Sequence, residues 1–239
     1  MTPSASNDHR ALRGVPRTVA LILAAGEGRR LGGVPKCLVQ LGGKTLLQRL
    51  LEELQQVEID EVRLVFGHHA DALSAHVNTL PKHLWPVGVR NEKPGDDPAD
   101  SLRAGLLSLG STPDRLVVLL GDQPLIRAAE VQAALDAFEA RERGRHVLVP
   151  VVGGEPGHPV VLSAHACAVL RGRPQGGLRA WRAEQPEMMA LWPTPNPRHV
   201  RDLDTPEDLL KLAQDTGLAV SLPGATAATR VPGSKNLTT

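Results

Sequence analysis

Apolar runs alternate with stretches of helical periodicity along most of this chain. Val19–Leu23 is an uninterrupted apolar run, the pattern of a strand covered on both faces. Leu46, Leu47, Leu50, Leu51, Leu54 and Val57 then recur at helical spacing. Val62–Phe66 predicts a second strand, with a short helix in ADALSAHVNTL after it. Pro86–Arg90 predicts a third strand, followed by a helix in ADSLRAGLLSL. Arg115–Leu120 reads as a central strand, and AAEVQAALDAFEARER as a helix running to Gly144, a natural C-terminal stop. This rhythm implies right-handed crossovers and a mostly parallel sheet with helices on both faces.

After Gly144 the rhythm changes. HVLVPVV and HPVVL flank GGEPG, as in a hairpin or a mixed-sheet excursion. Helices around Ala164–Leu170 and Leu178–Glu184 follow, then a short strand near MMALW. TPEDLLKLAQ is the last helix, with Thr205 as N-cap and Pro206 at its first position. No internal repeat is visible. The expected fold is α/β: a single Rossmann-like three-layer domain with a mostly parallel mixed sheet over residues 17–217. Residues 1–16 and 218–239 lack periodicity, and mobile tails are expected there.

Bulk properties remove several function classes. Lys+Arg 27 against Asp+Glu 26 gives no broad polyanion-binding face. Three Trp, two Phe and no Tyr argue against base-stacking platforms, so no nucleic-acid partner is expected. No apolar stretch approaches the ~20 residues that span a bilayer, so no membrane partner is expected either. The N-terminus lacks the apolar segment of a signal peptide. Cys37 and Cys167 form neither a metal knuckle nor a disulfide framework, which fits a reduced, cytoplasmic setting.

Chemistry concentrates in a few turns. LAAGEGRRLGGVPK follows the first strand, and open parallel sheets bind ligands beyond the carboxyl ends of their strands. Gly26, Gly28, Gly32 and Gly33 let backbone N–H groups approach an anion, and Arg30 and Lys36 can add charged contacts to phosphate oxygens. The segment is neither G-x-x-x-x-G-K-[ST] nor a G-x-G-x-x-G in good register. The alternative is a surface loop with solvated arginines. Asp122, in VVLLGDQPLI, either caps its turn or holds a metal ion. Asp204, in RDLDTPEDLL, precedes a helix whose Glu207 and Asp208 suit its N-terminus. Ser101 lies near a helix start, where it can serve as a cap, and His158 lies in a turn beside Pro159. His68 and His69 read as loop histidines without partner ligands.

LAAGEGRRLGGVPK resembles the nucleotide-binding signature of the MobA-like nucleotidyltransferases. It is most similar to the branch typified by molybdenum cofactor cytidylyltransferase, L-A-A-G-x-S-x-R-M-G-x-x-K. Gly28 replaces the usual Ser, Leu31 replaces Met, and one extra residue precedes Lys36. The resemblance implies a nucleotide-diphospho-sugar transferase-like fold. It also implies a nucleotide site of Leu23, Ala24, Ala25, Gly26, Arg30 and Lys36. GDQP resembles the family's A-D-Q-P and DLDTPEDL its D-I-D-T-P-E-D-L. By that resemblance Asp122 and Asp204 bind Mg²⁺, with Asp202 the second choice to Asp204, and Arg30, Lys36 and Asp122 are catalytic. SLRAGL resembles S-L-x-x-G-L, which places Ser101 and Gly105 at the nucleobase, and GHP places His158 at the acceptor. Gln175 stands where the family's G-D-x-G-A-R carries Asp.

The implied reaction transfers a nucleoside monophosphate, CMP from CTP, to a molybdopterin-type cofactor and releases pyrophosphate. A molybdenum hydroxylase receiving the product is an implied partner. Three alternatives stay open. One is another nucleoside triphosphate with a sugar phosphate or other small phosphorylated acceptor, and a second is a non-catalytic accessory protein for a molybdenum hydroxylase. An NAD-dependent oxidoreductase is the third, disfavoured by the glycine register and the lack of a ribose-binding acid.

Overall fold

The computed structural model of the protein describes residues 15–95, 98–173 and 176–224. β1 (Thr18–Ala24) sits near the middle of the main sheet, parallel to both β4 (Glu61–Phe66) and β6 (Arg115–Leu120). β5 (Val87–Arg90) extends the parallel set beyond β4. On the other side β9 (Val160–Ser163) runs antiparallel to β6, and β7 (Val147–Val152) antiparallel to β9. β10 (Met189–Pro193) closes that edge, parallel to β7. The strand order is β10-β7-β9-β6-β1-β4-β5, with β8 (Glu155–Pro156) folded back onto the end of β7. The expected mostly parallel mixed sheet is therefore present, and Gly153–Gly154 of GGEPG form the hairpin turn between β7 and β8.

Strand alternation divides the core into two layers. Ala20 and Ile22 pack with Leu47, Leu51 and Leu54 of α1 (Leu46–Leu54), Leu73 of α2 (Ala70–Thr79) and Leu135 and Phe138 of α4 (Ala128–Glu139). Val19 and Leu21 belong to the opposite layer. There they meet Leu102 and Leu106 of α3 (Pro98–Ser108), Leu170 of α5 (Ala164–Gly172) and Trp181 of α6 (Gly177–Glu184). Each fully buried leucine contributes about 1.5–3 kcal/mol by transfer from water, so the sheet is held from both faces. Among the described residues no helix is long and apolar enough to cross a membrane.

A smaller sheet escaped the sequence pattern. β2 (Gln40–Leu41) and β3 (Lys44–Thr45) form a tight hairpin, and β11 (Val220–Ser221) pairs with β2. Two-residue strands show no periodicity, although Gly42–Gly43 is itself a hairpin signal. α7 (Pro206–Thr216) covers this sheet through Leu209, Leu212 and Ala213, joined by Leu31, Leu203 and Val220. Residue 218 is thus not where a tail begins, because Val220 is buried. Residues 1–14 and 225–239, and Gln175, lie outside the described residues. The fourth long helix also ends earlier than its polar tail suggested, at Glu139 instead of near Gly144. Beyond it the Arg141 guanidinium turns back onto the Phe138 carbonyl and lies 3.4 Å from the centroid of the Phe138 ring.

Candidate active site

The loop after β1 is built by local hydrogen bonds. Leu31 N–H and Gly33 N–H both donate to the Gly28 carbonyl, at 2.9 and 3.0 Å. Gly28 has φ 73°, and a Cβ there would come within 2.1 Å of the Val34 carbonyl oxygen. That contact explains why the loop carries glycine where the family signature has serine. Leu31 is buried with Leu203 and Leu209, so the loop is pinned to the segment that carries Asp204. Lys36 opens a short 3₁₀ turn whose next residues, Cys37 and Leu38, are buried. The turn is anchored in the core, and the lysine side chain alone reaches outward.

Three distant segments meet at that ammonium. Lys36 Nζ lies 3.0 Å from Asp122 Oδ2 and also donates to Asp204 Oδ1. Arg30 donates to the other oxygen of Asp204, Oδ2, at 2.6 Å. Asp122 follows β6, where Gly121 N–H is tied to the Leu23 carbonyl at 2.9 Å. Asp204 is fixed by the start of α7. There Thr205 is the N-cap and Pro206 takes the first position, and the Asp208 carboxylate accepts from the Asp204 and Thr205 N–H groups at 3.0 and 2.7 Å. Burial opposes the charge on Asp208, but those hydrogen bonds outweigh it and hold the carboxyl below the usual carboxylate range.

The electrostatics follow from the geometry. Burial alone would lower the Lys36 pKa; Asp122 and Asp204 more than compensate and raise it. Asp202 is exposed beside the pair, and its carboxyl is pushed up by desolvation and by the charges of Asp204 and Asp122. The side chains of Lys36, Asp122 and Asp204 are each about one-fifth exposed. Solvent and a ligand can therefore reach them.

The donor chemistry fits a divalent cation. Asp122 and Asp204 present hard oxygen ligands that already converge on one positive centre. Among the described residues no group of three or more His, Cys, Asp or Glu is arranged to hold a metal. Two carboxylates, with the remaining positions left to water and substrate oxygens, is the ligand set common for Mg²⁺. Neither thiol belongs to the cluster's chemistry: burial, with Asp122 adding, pushes Cys37 up to about 12, and burial does the same to Cys167.

The remaining expected residues separate. Leu23 and Ala24 end β1, Ala25 is buried, and Gly26 is exposed with open space where a Cβ would stand. Ser101 lies in the first turn of α3 and accepts from Asn91 Nδ2 at 3.3 Å. Gly105 does not join the site. It is buried in α3 against Leu21, where a Cβ would come within 2.6 Å of that side chain, so close helix–strand packing is the reason for the glycine. His158 lines a cavity that it shares with Leu23 and Leu120. Burial depresses its pKa to about 4, leaving the ring neutral at pH 7.

His68 and His69 are not idle loop residues. A backbone oxygen only accepts, so His68 Nδ1–H donates to the Ala25 carbonyl at 3.0 Å and His69 Nε2–H to the Glu27 carbonyl at 2.8 Å. Together they brace the signature loop from the turn after β4. Gln123 and His199 were also missed. Buried Gln123 donates to the His199 carbonyl at 3.0 Å, and His199 shares two hydrogen bonds with the backbone of His158. This ties the Asp122 turn to the His158 loop. Sequence spacing carries no trace of it, because the partner is a main-chain oxygen 76 residues away.

Comparison with known proteins shows the family and the fold. A family model described as the MobA-like NTP transferase domain matches residues 20–188. The bifunctional protein GlmU of Lactococcus lactis subsp. lactis is 32% identical over 144 residues, covering 60% of this chain and 30% of GlmU. The chain thus spans about a third of the length of the curated relatives it matches. Among solved structures, the Rv0371c homologue from Mycobacterium sp. strain JC1 superposes with a TM-score of 0.64 at 29% identity, covering 82% of this chain and 94% of that one. Rv0371c of Mycobacterium tuberculosis, solved in complex with manganese, shares the fold at 23% identity and a TM-score of 0.61, covering 82% and 97%. The chain has the nucleotide-diphospho-sugar transferase fold and belongs to the MobA-like NTP transferase domain family, among the nucleotidyltransferases.

Proposed function

We propose that the protein is a Mg²⁺-dependent cytidylyltransferase that moves CMP from CTP to a phosphorylated, molybdopterin-type acceptor and releases pyrophosphate. The observation that carries this reading is the single ammonium of Lys36 shared by Asp122 and Asp204, with Arg30 on the second oxygen of Asp204. CTP and the acceptor rest on the resemblance of the signature to the cytidylyltransferase branch. A divalent metal is supported by the two converging carboxylates and by the manganese complex of Rv0371c. Handover of the product to a molybdenum hydroxylase follows the same resemblance.

In this mechanism Asp122 and Asp204 would hold the cation, which would supply charge neutralisation for the phosphates. The loop at Gly26 leaves room for the triphosphate to lie against backbone N–H groups, and the resemblance of SLRAGL to the family motif assigns Ser101 to the base. Arg30 and Lys36 counter the charge on the triphosphate and on the departing pyrophosphate. An acceptor phosphate oxygen attacks the α-phosphorus. A new P–O bond forms as the bond to the β-phosphate oxygen breaks, and the electron pair leaves with pyrophosphate. His158, neutral at pH 7, can hydrogen-bond the acceptor without adding charge. Positioning and charge stabilisation supply most of the rate in such chemistry. No covalent enzyme intermediate is needed, which suits two thiols held protonated.

The test incubates the protein with Mg²⁺, each nucleoside triphosphate in turn, and molybdopterin or sugar-phosphate acceptors, and measures pyrophosphate. Acceptor-dependent release with CTP and molybdopterin is the expected result. Release with a sugar phosphate instead would replace the acceptor assignment, and nucleotide binding without turnover would support the accessory reading. A folded but fully active Asp122→Ala variant would remove Asp122 from the mechanism.

A further inference from the structure

A cavity of about 520 Å³ lies between one face of the main sheet, at Leu23, Leu120 and Val149, and helices α3 and α6, a size that suits one small molecule. Its position is set by the site. Leu120 in its wall is two residues from Asp122, Leu23 ends β1 just before the signature loop, and His158 is tied through His199 to the Asp122 turn. The wall is apolar, formed by Leu23, Leu102, Val118, Leu120, Val149 and Leu178. A sugar-sized polyol would leave its hydroxyls unpaired against such a surface.

Two cations break that surface. Arg179 and Arg182 both line the cavity and lie three residues apart on α6, hence on one helical face. Neither has an ion-pair or hydrogen-bond partner among the described residues. By contrast, Arg30 is paired with Asp204 and Arg173 with Glu184. Two guanidiniums without a partner among the described residues, at the edge of an apolar chamber, form a recognition element for a carboxylate or phosphate. The cluster at Lys36 already serves the reacting phosphates, so this element answers a different acidic group.

We propose that this cavity takes the ring-sized body of the phosphorylated acceptor and that Arg179 and Arg182 read a second acidic group on it, beyond the phosphate that reacts. This rests on the nucleotidyl-transfer reading for the role of the first phosphate. The chemistry is shared by a carboxylate and a second phosphate, and the probes separate the two.

The experiment titrates the protein with 1-naphthyl phosphate, the same compound bearing a ring carboxylate, the same compound bearing a second phosphate monoester on the ring, and ribose 5-phosphate, following naphthyl fluorescence or heat. Both two-acid naphthyl probes, or one of them, should bind at least tenfold more tightly than 1-naphthyl phosphate and ribose 5-phosphate. The tighter of the two identifies the acid. The double substitution Arg179→Gln and Arg182→Gln should abolish the advantage while leaving affinity for Mg²⁺–CTP unchanged. Equal binding of all four probes, or an advantage that survives the double substitution, would overturn the proposal. CTP titration of the wild type separates the two readings: absent CTP binding refutes nucleotidyl transfer, whereas the selectivity among acids is read independently of it.

Discussion

Lys36 Nζ lies 3.0 Å from Asp122 Oδ2 although 86 residues separate them in the chain. The same ammonium also bonds Asp204, so one positive charge keeps two carboxylates together. In Lys36→Met Asp122 loses this cation and Asp204 keeps only Arg30, so the repulsion between the two carboxylates is no longer fully countered. The substitution is predicted to lower kcat about 10²–10³-fold and to cost roughly 1–3 kcal/mol of stability, less than the 3–5 kcal/mol of a fully buried pair because the groups are partly solvated. Millimolar Mg²⁺ should raise the melting temperature of the variant more than that of the wild type. Thermal melts with and without Mg²⁺ check this, and equal shifts would contradict it.

Gly28→Ser restores the residue usual in the family signature but places a Cβ against the Val34 carbonyl at a positive φ. The positive φ alone costs of order 1–3 kcal/mol, and the approach to a backbone oxygen forces the loop itself to shift. The strain falls on the loop rather than the core. The predicted outcome is CTP affinity weakened about tenfold with far-UV circular dichroism unchanged, measured by calorimetric titration.

His68→Phe and His69→Phe each remove one brace on the signature loop while keeping a ring of similar shape. Each lost hydrogen bond to a partly buried carbonyl costs about 1–2 kcal/mol. KM for CTP is predicted to rise about five- to tenfold per substitution, with little change in kcat. His68→Asn, whose amide can still donate toward the Ala25 carbonyl, should recover part of the loss. Steady-state kinetics on the three variants decides it.

His158 is kept neutral by burial, with a folded pKa of about 4 against 6.5 for the free side chain. Between those values the unfolded chain binds more protons than the folded one, so stability falls as pH drops from 6.5 toward 4. At pH 4.5 the loss is about 2 kcal/mol after allowance for the ring's partial exposure. Urea midpoints at pH 7 and 4.5 should show that drop for the wild type and a smaller one for His158→Gln.

The main sheet was legible in the sequence because long strands buried on both faces announce themselves as runs such as Val19–Leu23 and Arg115–Leu120. The cap at Thr205 and Pro206 was equally plain, since capping is decided by neighbours in the chain. The hairpin of Gln40–Thr45 and the edge strand at Val220 were hidden by their two-residue length. Within the site, charged residues at strand ends could be read and the structure brings them together. Gly105 was misread because the sequence does not show that Leu21 presses on it. His68, His69, Gln123 and His199 act through main-chain oxygens, and backbone acceptors are the same at every position in a sequence.

Equilibrium binding of CTP, with and without Mg²⁺, to the wild type and to Asp122→Asn and Asp204→Asn tests most directly whether these cations and carboxylates clasp a metal–triphosphate. Mg²⁺ is predicted to tighten CTP binding to the wild type by at least about tenfold, a coupling of roughly 1.4 kcal/mol, and to have no such effect in either variant. A Mg²⁺ effect of unchanged size in both variants would contradict the account.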